Sequence, residues 1–208
     1  MDIGIKEIIK DPLSYNLHSH TQFCDGRNSM DEIASSARKS GIIHLGFTPH
    51  CPVPLYSPCN MDKESVEDYF HEIERLKEKY EGEMKIYRSM EIDYFGDDFG
   101  AHIDYFQNLP LEYRLSSVHF VPTQNGDLID CDGSAERFKE NLKNRYHGDL
   151  RYVVEKYFEQ VLRMIERGGF DILGHFDKIA ANASSVQPDI EEEGWYVSLS
   201  DDVIRHVE

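Results

Sequence analysis

The sequence predicts an α/β protein built around parallel strands, and three observations support this fold class. Segments with strand-like and helix-like patterns alternate along the chain, as expected when crossover helices connect parallel strands. The 208 residues contain no internal repeat and no Gly/Ser-rich or Pro-rich linker, so one domain over residues 1–208 is expected. The composition, 40% hydrophobic and 29% charged, is typical of a globular chain and not of a disordered one.

The first two elements are predicted from local signals. A strand is expected at residues 15–20, and a helix is expected at 29–40. Ser29 and Glu32 form a capping box at the start of this helix, and Gly41 stands where a left-handed residue ends it. The chain therefore begins with a strand followed by a helix.

The next strand is expected at residues 44–48, where Pro49 ends it. Residues 51–60 contain three prolines and are predicted to form a loop. Apolar residues at helical spacing then predict a long helix at about 62–80. This second strand–helix pair repeats the order of the first.

The second half of the chain continues the alternation. Strands are expected at residues 85–94, 114–120 and 170–176. Helices are predicted at 135–144 and 150–167, the second with a long apolar stripe and two glycines after it. Five strands in all are therefore predicted.

Charge and cysteine content restrict the possible partners and compartment. With 22 basic and 39 acidic residues the net charge is −17, which disfavours binding to nucleic acid or to an anionic membrane. No apolar run approaches the ~20 residues that span a bilayer, and the N-terminus lacks the apolar core of a signal peptide. The four cysteines form no CxxC pair, so reduced thiols and a cytoplasmic location are expected.

Histidines and carboxylates mark the ends of all five predicted strands. His18 and His20 point to the same side of the first strand, so both imidazoles can reach one metal ion. Chemistry in βα barrels gathers at these strand ends, and mixed nitrogen and oxygen donors suit Zn, Mn or Fe. The other predicted ligands are Asp25, His50, Glu91, His119 and His175.

Each of these residues, taken singly, also has a structural interpretation. An isolated HxH motif is often a surface accident, and His50 before Cys-Pro fits an ordinary turn. Glu91 fits a solvated strand end, and His119 and His175 fit hydrogen-bonded core histidines. Their coincidence at successive strand ends favours a metal centre.

Six blocks of the chain together resemble the PHP (polymerase and histidinol phosphatase) family, and within it the histidinol-phosphate phosphatases. They occur in the order and spacing of that family, and the resemblance extends from about residue 13 to the end. The blocks are Asn16-Leu17-His18-Ser19-His20-Thr21, Phe23-Cys24-Asp25-Gly26, Gly46-Phe47-Thr48-Pro49-His50, Glu91-Ile92-Asp93-Tyr94, Ser116-Ser117-Val118-His119 and Asp171-Ile172-Leu173-Gly174-His175-Phe176-Asp177.

The resemblance implies a distorted (β/α)7 TIM-like barrel with two or three divalent metal ions (Zn, Mn or Fe) at its C-terminal rim. By position in the family, His18, His20 and Glu91 would hold one ion. Glu91 would bridge to a second ion held by His119 and His175. The metal ions, and not the net charge, would then set the local field for an anionic substrate.

The resemblance also assigns further roles. Asp25 and His50 would hold a third ion. Glu91, His50 and Asp177 are the predicted catalytic residues, with a rim histidine as one possible proton donor. Asp177 would orient a metal-binding side chain without binding the ion itself, and a simple loop carboxylate is an equally good interpretation of it.

The chain departs from the family pattern at its end. The late Asp-x-His motif of the family is not found, and Ser200 is predicted to cap a helix at about the point where the sequence stops. The barrel is therefore expected to be incomplete at the C-terminus.

The implied activity is metal-dependent hydrolysis of L-histidinol phosphate to L-histidinol and phosphate, in histidine biosynthesis. Arg145 and Arg151 are predicted to contact the phosphate, and solvated helix-end arginines are an equally good interpretation. Two alternatives stay open: a phosphoesterase acting on another small phosphate ester or nucleotide, and a truncated metal-binding remnant without activity. The partner expected is a small phosphate ester, and the sequence does not indicate an oligomeric state.

Overall fold

The structure is a computed structural model, and it describes residues 3–207. Its strands, numbered in chain order, are β1 Tyr15–Asn16, β2 His44–Phe47, β3 Lys85–Arg88, β4 Glu91–Asp93, β5 Leu115–Ser117, β6 Phe120–Pro122, β7 Leu128–Asp130 and β8 Ile172–Leu173. Its α-helices are α1 Ile5–Ile8, α2 Met30–Lys39, α3 Val66–Lys79, α4 Asp104–Asn108, α5 Ala135–Arg145, α6 Leu150–Arg167, α7 Ile179–Ser184 and α8 Gly194–Val207. Two short 3₁₀ helices span Lys63–Ser65 and Ile190–Glu192.

Contacts divide the chain into two compact units. The first unit contains the residues up to 92 together with 108–115 and 170–172. The second unit contains residues 93–107, 116–169 and those from 173 onward. Because three segments contribute to each unit, neither corresponds to one half of the sequence.

The first unit is built on a parallel sheet of order β1–β2–β3. Leu45 of β2 pairs with Ile86 of β3, and both side chains are buried. Helix α3 packs on β3 and α2 packs on β2, which is the arrangement expected of strand–helix–strand units. The apolar stripe of α3, including Ile73 and Leu76, is fully buried by this packing.

A second three-stranded sheet has the order β4–β5–β8, and each of its strands contributes residues to both units. The second unit also contains an antiparallel hairpin of β6 and β7. Side chains of the helices hold this hairpin: Gln160 donates to the carbonyl of Phe120 at 2.6 Å, and the Tyr146 hydroxyl donates to that of Val121 at 2.7 Å. Helix α6 packs against β6, α7 and α8.

The predicted helices are confirmed with small changes of their ends. The capping box of Ser29 and Glu32 is formed at α2, and Gly41 has the expected positive φ of 85°. The predicted cap at Ser200 is wrong, because α8 already begins at Gly194, six residues earlier. The amide of Val197 donates to the carbonyl of Glu193 at 3.0 Å, so a helical turn precedes Ser200.

Several predicted strands are shorter or divided. The strand expected at 85–94 separates into β3 and β4, which belong to different sheets. A side chain of α3 contacts the chain at this break: the Tyr69 hydroxyl donates to the carbonyl of Ser89 at 2.7 Å, which occupies that acceptor of the strand. The strand expected at 114–120 is likewise divided into β5 and β6.

The α/β class and the parallel pairing of the first sheet are therefore confirmed. The strands of residues 3–207 form three sheets, and none of these sheets is closed into a barrel. Over the same residues, every helix is too short or too polar to cross a membrane.

Candidate metal centre

The segment that carries His18 and His20 follows directly after β1 in the first unit. A hydrogen bond fixes its backbone: the hydroxyl of buried Tyr113 donates to the carbonyl of Leu17. A Cβ atom on Gly46 would lie 1.9 Å from the Tyr113 oxygen, so only glycine leaves room for this contact. The glycine of β2 is thus needed to support the first histidine pair.

A tight turn after His20 brings a carboxylate back to it. The carbonyl of Thr21 accepts hydrogen bonds from the amides of Cys24 at 3.0 Å and Gly26 at 3.1 Å. The chain approaches itself so closely that a Cβ on Gly26 would lie 2.4 Å from the Thr21 nitrogen. As a result, Oδ1 of Asp25 lies 2.7 Å from Nδ1 of His20.

Glu91 lies at the centre of the histidines that the first unit brings together. Its side chain is 0% exposed, although it begins β4 at a strand end. Its amide donates to the Pro49 carbonyl at 3.0 Å, and its own carbonyl accepts from Cys51 at 2.9 Å, which fixes it beside His50. A carboxylate buried in this way is costly unless positive or hydrogen-bonding groups compensate it.

Three imidazoles provide this compensation. Nε2 of His20 lies 3.2 Å from Oε2 of Glu91, and Nδ1 of His50 lies 3.3 Å from the same oxygen. Nε2 of His18 lies 3.7 Å from the other carboxylate oxygen, Oε1. Three nitrogen atoms thus surround one buried carboxylate.

The electrostatics of this group favour charged forms. Burial acts to lower the pKa of His20, but hydrogen bonds with Cys24, Glu91 and Asp25 outweigh it and raise the pKa to about 11. Burial acts to raise the pKa of Asp25, but its hydrogen bond with His20 and the charge of His50 lower it. The positive form of His20 and the negative form of Asp25 therefore stabilise each other.

Thr48 orients the first histidine. Its hydroxyl oxygen lies 2.6 Å from Nδ1 of His18 and accepts a hydrogen bond from the amide of Ser19 at 3.0 Å. With Nδ1 engaged, the Nε2 atom of His18 faces Glu91. A fixed ring orientation of this kind is usual for metal-binding histidines.

The second unit contains a different arrangement, built on His119 and Asp93. Oδ1 of Asp93 lies 2.6 Å from Nδ1 of His119, and both side chains are buried. The carboxylate favours a proton on Nδ1, which leaves the lone pair of Nε2 available to bind a metal ion. That Nε2 atom lies 3.4 Å from Nε2 of His175.

Backbone contacts fix both histidines of the second unit. The carbonyl of His119 accepts from the amide of Cys131 at 2.9 Å. The carbonyl of His175 accepts from the hydroxyl of Tyr157 at 3.1 Å, and the preceding Gly174 donates its amide to Ser116 at 2.9 Å. These backbone hydrogen bonds fix the two segments whose Nε2 atoms lie 3.4 Å apart.

The donor chemistry of both units fits a divalent metal ion. In the first unit, one ligand atom each from His18, His20 and Glu91 lies within 4.8 Å of the other two, and the same holds for His20, Cys24 and Asp25. Imidazole with carboxylate suits Zn, Mn or Fe. The carboxylate behind His119 is the outer partner that histidine ligands commonly have.

The structure thus brings together the predicted ligands in two sets. His119 and His175 are together in the second unit. The first unit brings together His18, His20, Asp25, His50 and Glu91.

The other predicted site residues are more exposed. Asp177 is exposed. Its charge acts on Tyr196, whose pKa is raised to about 12, mainly by burial and further by the charges of Glu191 and Asp177. Arg145 pairs with Asp127 at 2.8 Å. Arg151 pairs with Glu155 at 2.7 Å, and its guanidinium lies 4.9 Å from the centre of the Trp195 ring.

Three residues of the site were not predicted to act on metal ligands. Thr48 and Asp93 contact the predicted ligands His18 and His119, and Cys24 lies beside His20. The signal for Asp93 was an acidic residue inside a buried apolar strand, and the signal for Thr48 was a polar residue at the end of β2. Only the fold shows which imidazole each one contacts.

Comparison with known proteins gives consistent results. The family model described as "PHP domain" matches residues 16–199. A histidinol-phosphatase from Bacillus subtilis is 30% identical over 160 residues, which is 71% of this chain. The chain spans 58% of the length of that relative.

Two solved structures are similar in fold. The hisK protein from Listeria monocytogenes matches with a TM-score of 0.78 and 20% identity, covering 93% of this chain and 78% of that one. Histidinol phosphate phosphatase from Lactococcus lactis, complexed with Zn, L-histidinol and phosphate, matches with a TM-score of 0.55 and 19% identity. That match covers 81% of this chain and 59% of the other.

Proposed function

The chain belongs to the PHP domain family, and from this premise we propose that it is a metal-dependent phosphomonoester hydrolase. The substrate we propose is L-histidinol phosphate, which would be converted to L-histidinol and phosphate in histidine biosynthesis. The observation that carries the proposal is the fully buried carboxylate of Glu91 with three imidazoles around it. Such a group is expensive to bury for structure alone and is well suited to hold a cation.

We propose that the first unit holds metal through His18, His20 and Glu91, with Asp25 and His50 as further ligands. In the second unit we propose His119 and His175 as ligands. The number of ions would be two or three, and Zn, Mn and Fe all suit these donors.

The chain's own residues would prepare the site for reaction. Asp93 would hold a proton on Nδ1 of His119, so that the lone pair of Nε2 stays available for a metal ion. Thr48 likewise contacts Nδ1 of His18, so that Nε2 of His18 would be the nitrogen that binds metal. When bound, divalent ions neutralise a phosphate ester and activate water for attack on phosphorus.

The leaving alcohol needs a proton, and we propose that a histidine at the rim supplies it. The side chain of His50 is largely buried, with Nδ1 near Glu91 and Nε2 4.0 Å from Oδ2 of Asp25. As a neutral ligand, His50 would take part in catalysis through the ion that it would hold with Asp25. Glu91 and Asp177 complete the proposed catalytic set.

We also propose that Arg145 and Arg151 contact the phosphate of the substrate. Each would have to exchange its present carboxylate partner, Asp127 or Glu155, for the phosphate. Both partners are exposed, so the exchange costs little.

Two relatives support the choice of substrate. The Bacillus subtilis relative is named histidinol-phosphatase, and the Lactococcus lactis structure contains Zn, L-histidinol and phosphate. We further propose that the chain acts as one PHP domain with the distorted barrel framework of this family. Because the chain has a net charge of −17, we propose that it acts on a small ester in the cytoplasm and does not bind nucleic acid or a membrane.

The test is phosphate release by the purified full chain, first stripped with a chelator and then loaded with Zn²⁺, Mn²⁺ or Fe²⁺. L-Histidinol phosphate, glycerol phosphate and adenosine monophosphate serve as substrates. We expect turnover of L-histidinol phosphate to be fastest, to vanish with the chelator and to be abolished in His18→Ala/His20→Ala. His71→Ala, an exposed histidine on α3, is the control that should keep full activity.

Two outcomes would contradict the proposal. Turnover that is unchanged in the His18→Ala/His20→Ala variant would exclude these ligands. Absence of turnover with every metal and every substrate would exclude the phosphatase activity of this chain.

A further inference from the structure

A cysteine takes part in the turn that carries the predicted ligands of the first unit. Cys24 lies between His20 and Asp25 in the turn closed by Thr21, and its side chain is half-buried. Of the remaining three cysteines, Cys51 and Cys131 are fully buried elsewhere, and Cys59 lies in the loop after β2. Cys24 is therefore the thiol whose position calls for a functional explanation.

The sulfur of Cys24 is close to two metal-binding side chains. One ligand atom each from His20, Cys24 and Asp25 lies within 4.8 Å of the other two. Donors that share one tetrahedral zinc ion lie about 3.5 Å apart, since Zn–S is about 2.3 Å and Zn–N about 2.0 Å. Nδ1 of His20 already lies 2.7 Å from Oδ1 of Asp25. A side-chain rotation that brings Sγ of Cys24 to about 3.5 Å from Oδ1 of Asp25 would let both donors share one ion.

The sulfur of Cys24 takes part in two hydrogen bonds within the turn. The amide of Thr21 donates a hydrogen bond to Sγ of Cys24 at 3.5 Å, and the thiol donates to the Thr21 carbonyl at 3.4 Å. On metal binding the thiol proton would leave to solvent, while the amide hydrogen bond would remain and stabilise the thiolate. Hydrogen bonds to ligand sulfur are a usual way in which proteins tune such sites.

From this geometry we propose that Cys24 is a sulfur ligand of the metal ion that Asp25 would hold in the first unit. Thiolate is a soft donor, so this position would prefer Zn²⁺, Co²⁺ or Cd²⁺ over Mn²⁺. A purely structural thiol, which only closes the turn, would produce no such preference. The inference rests on the proposed metal centre and adds a ligand and a metal preference to it.

The test is titration of the metal-free full chain with Co²⁺, followed by absorption spectroscopy. Bound Co²⁺ gives visible bands from any ligand set, and a sulfur ligand adds an intense near-ultraviolet charge-transfer band. We expect both signals in the wild type, the visible bands alone in Cys24→Ser, and both signals in Cys59→Ser. Competition should also move the Zn²⁺/Mn²⁺ preference of Cys24→Ser toward Mn²⁺ by about tenfold or more.

The spectra separate failure of this inference from failure of the metal centre. Visible bands without charge transfer in the wild type would exclude Cys24 as a ligand and leave the proposed centre intact. Absence of any Co²⁺ signal in the wild type would overturn both.

A second measurement covers the case in which Cys24→Ser does not fold. Alkylation of Cys24 in the wild type, followed by mass spectrometry, should slow at least tenfold when Zn²⁺ is added, whereas alkylation of Cys59 should not change. Equal rates for Cys24 with and without Zn²⁺ would overturn the inference.

Discussion

The two histidine groups differ in how their imidazoles are held. In the first unit, the carboxylates of Glu91 and Asp25 contact the imidazoles of His18, His20 and His50, and the same carboxylates are proposed ligands. In the second unit, Oδ1 of Asp93 contacts Nδ1 of His119, while the other ring nitrogen, Nε2, faces His175. Exposure also differs, since His18 and His20 are part-exposed while His119 is buried.

This difference has a consequence for mutagenesis. A carboxylate that both binds metal and balances imidazole charge cannot be removed without losing the ion. A carboxylate that only orients a ligand can be neutralised at a smaller loss of metal affinity. The first unit should therefore be the more sensitive to loss of a single acidic group.

The largest effect is expected from Glu91→Gln. It removes an ionised donor that is 0% exposed and contacts three histidines, so metal content and phosphate release should fall by about 100-fold or more. Metal analysis and a turnover assay measure this, with circular dichroism to establish that the variant is folded. Glu74→Gln, an exposed acid on α3, is the control, and equal losses in both variants would contradict the role of Glu91.

A smaller effect is expected from Asp93→Asn. The amide can still contact His119, but it no longer enforces a proton on Nδ1, so zinc affinity should fall by about 10- to 100-fold. Isothermal titration with Zn²⁺ measures the change. Asp97→Asn, an exposed acid of the same unit that pairs with Arg167, should bind as tightly as the wild type. Unchanged affinity in Asp93→Asn would remove the distinction between the two groups.

Thr48→Val should have an intermediate effect on the first unit. It deletes a buried hydroxyl that contacts His18 and the amide of Ser19. We expect about tenfold weaker metal binding and a loss of about 1–3 kcal/mol in the free energy of unfolding. Chemical denaturation and zinc titration measure these, and Thr48→Ser should restore both. Failure of the serine variant to do so would indicate that the methyl group, not the hydroxyl, matters.

The smallest effect is expected from Arg151→Ala. The arginine is exposed and already paired with Glu155, so loss of a phosphate contact should raise the KM for L-histidinol phosphate by no more than about fivefold. Arg163→Ala, on the same helix and paired with Glu159, is the matched control and should leave KM unchanged. Equal KM values in the two variants would leave Arg151 as a solvated helix-end residue.

The helices were the most predictable part of the fold. The capping box of Ser29 and Glu32 and the apolar stripes of α3 and α6 are local patterns, and the structure contains each of them. Strand lengths were less predictable, because a side chain from another element can take the place of a neighbouring strand. The hydroxyl of Tyr69 at the Ser89 carbonyl is such a case, and no local pattern announces it.

The hairpin of β6 and β7 was missed for a different reason. Asn125-Gly126 is a strong turn signal, but the flanking segments are only three residues each and lack a clear alternation. For the site, ligand types were predictable from strand ends, whereas the orienting residues Thr48 and Asp93 required the fold. Their roles depend on contacts 30 and 26 residues apart in the chain.

Both groups of histidines are proposed to hold metal, and native mass spectrometry of the zinc-loaded chain measures how many ions bind. The wild type should carry two or three Zn²⁺ ions per chain. His18→Ala/His20→Ala and His119→Ala/His175→Ala should each carry fewer. An unchanged number of ions in either variant would contradict the claim for the unit in which those histidines lie.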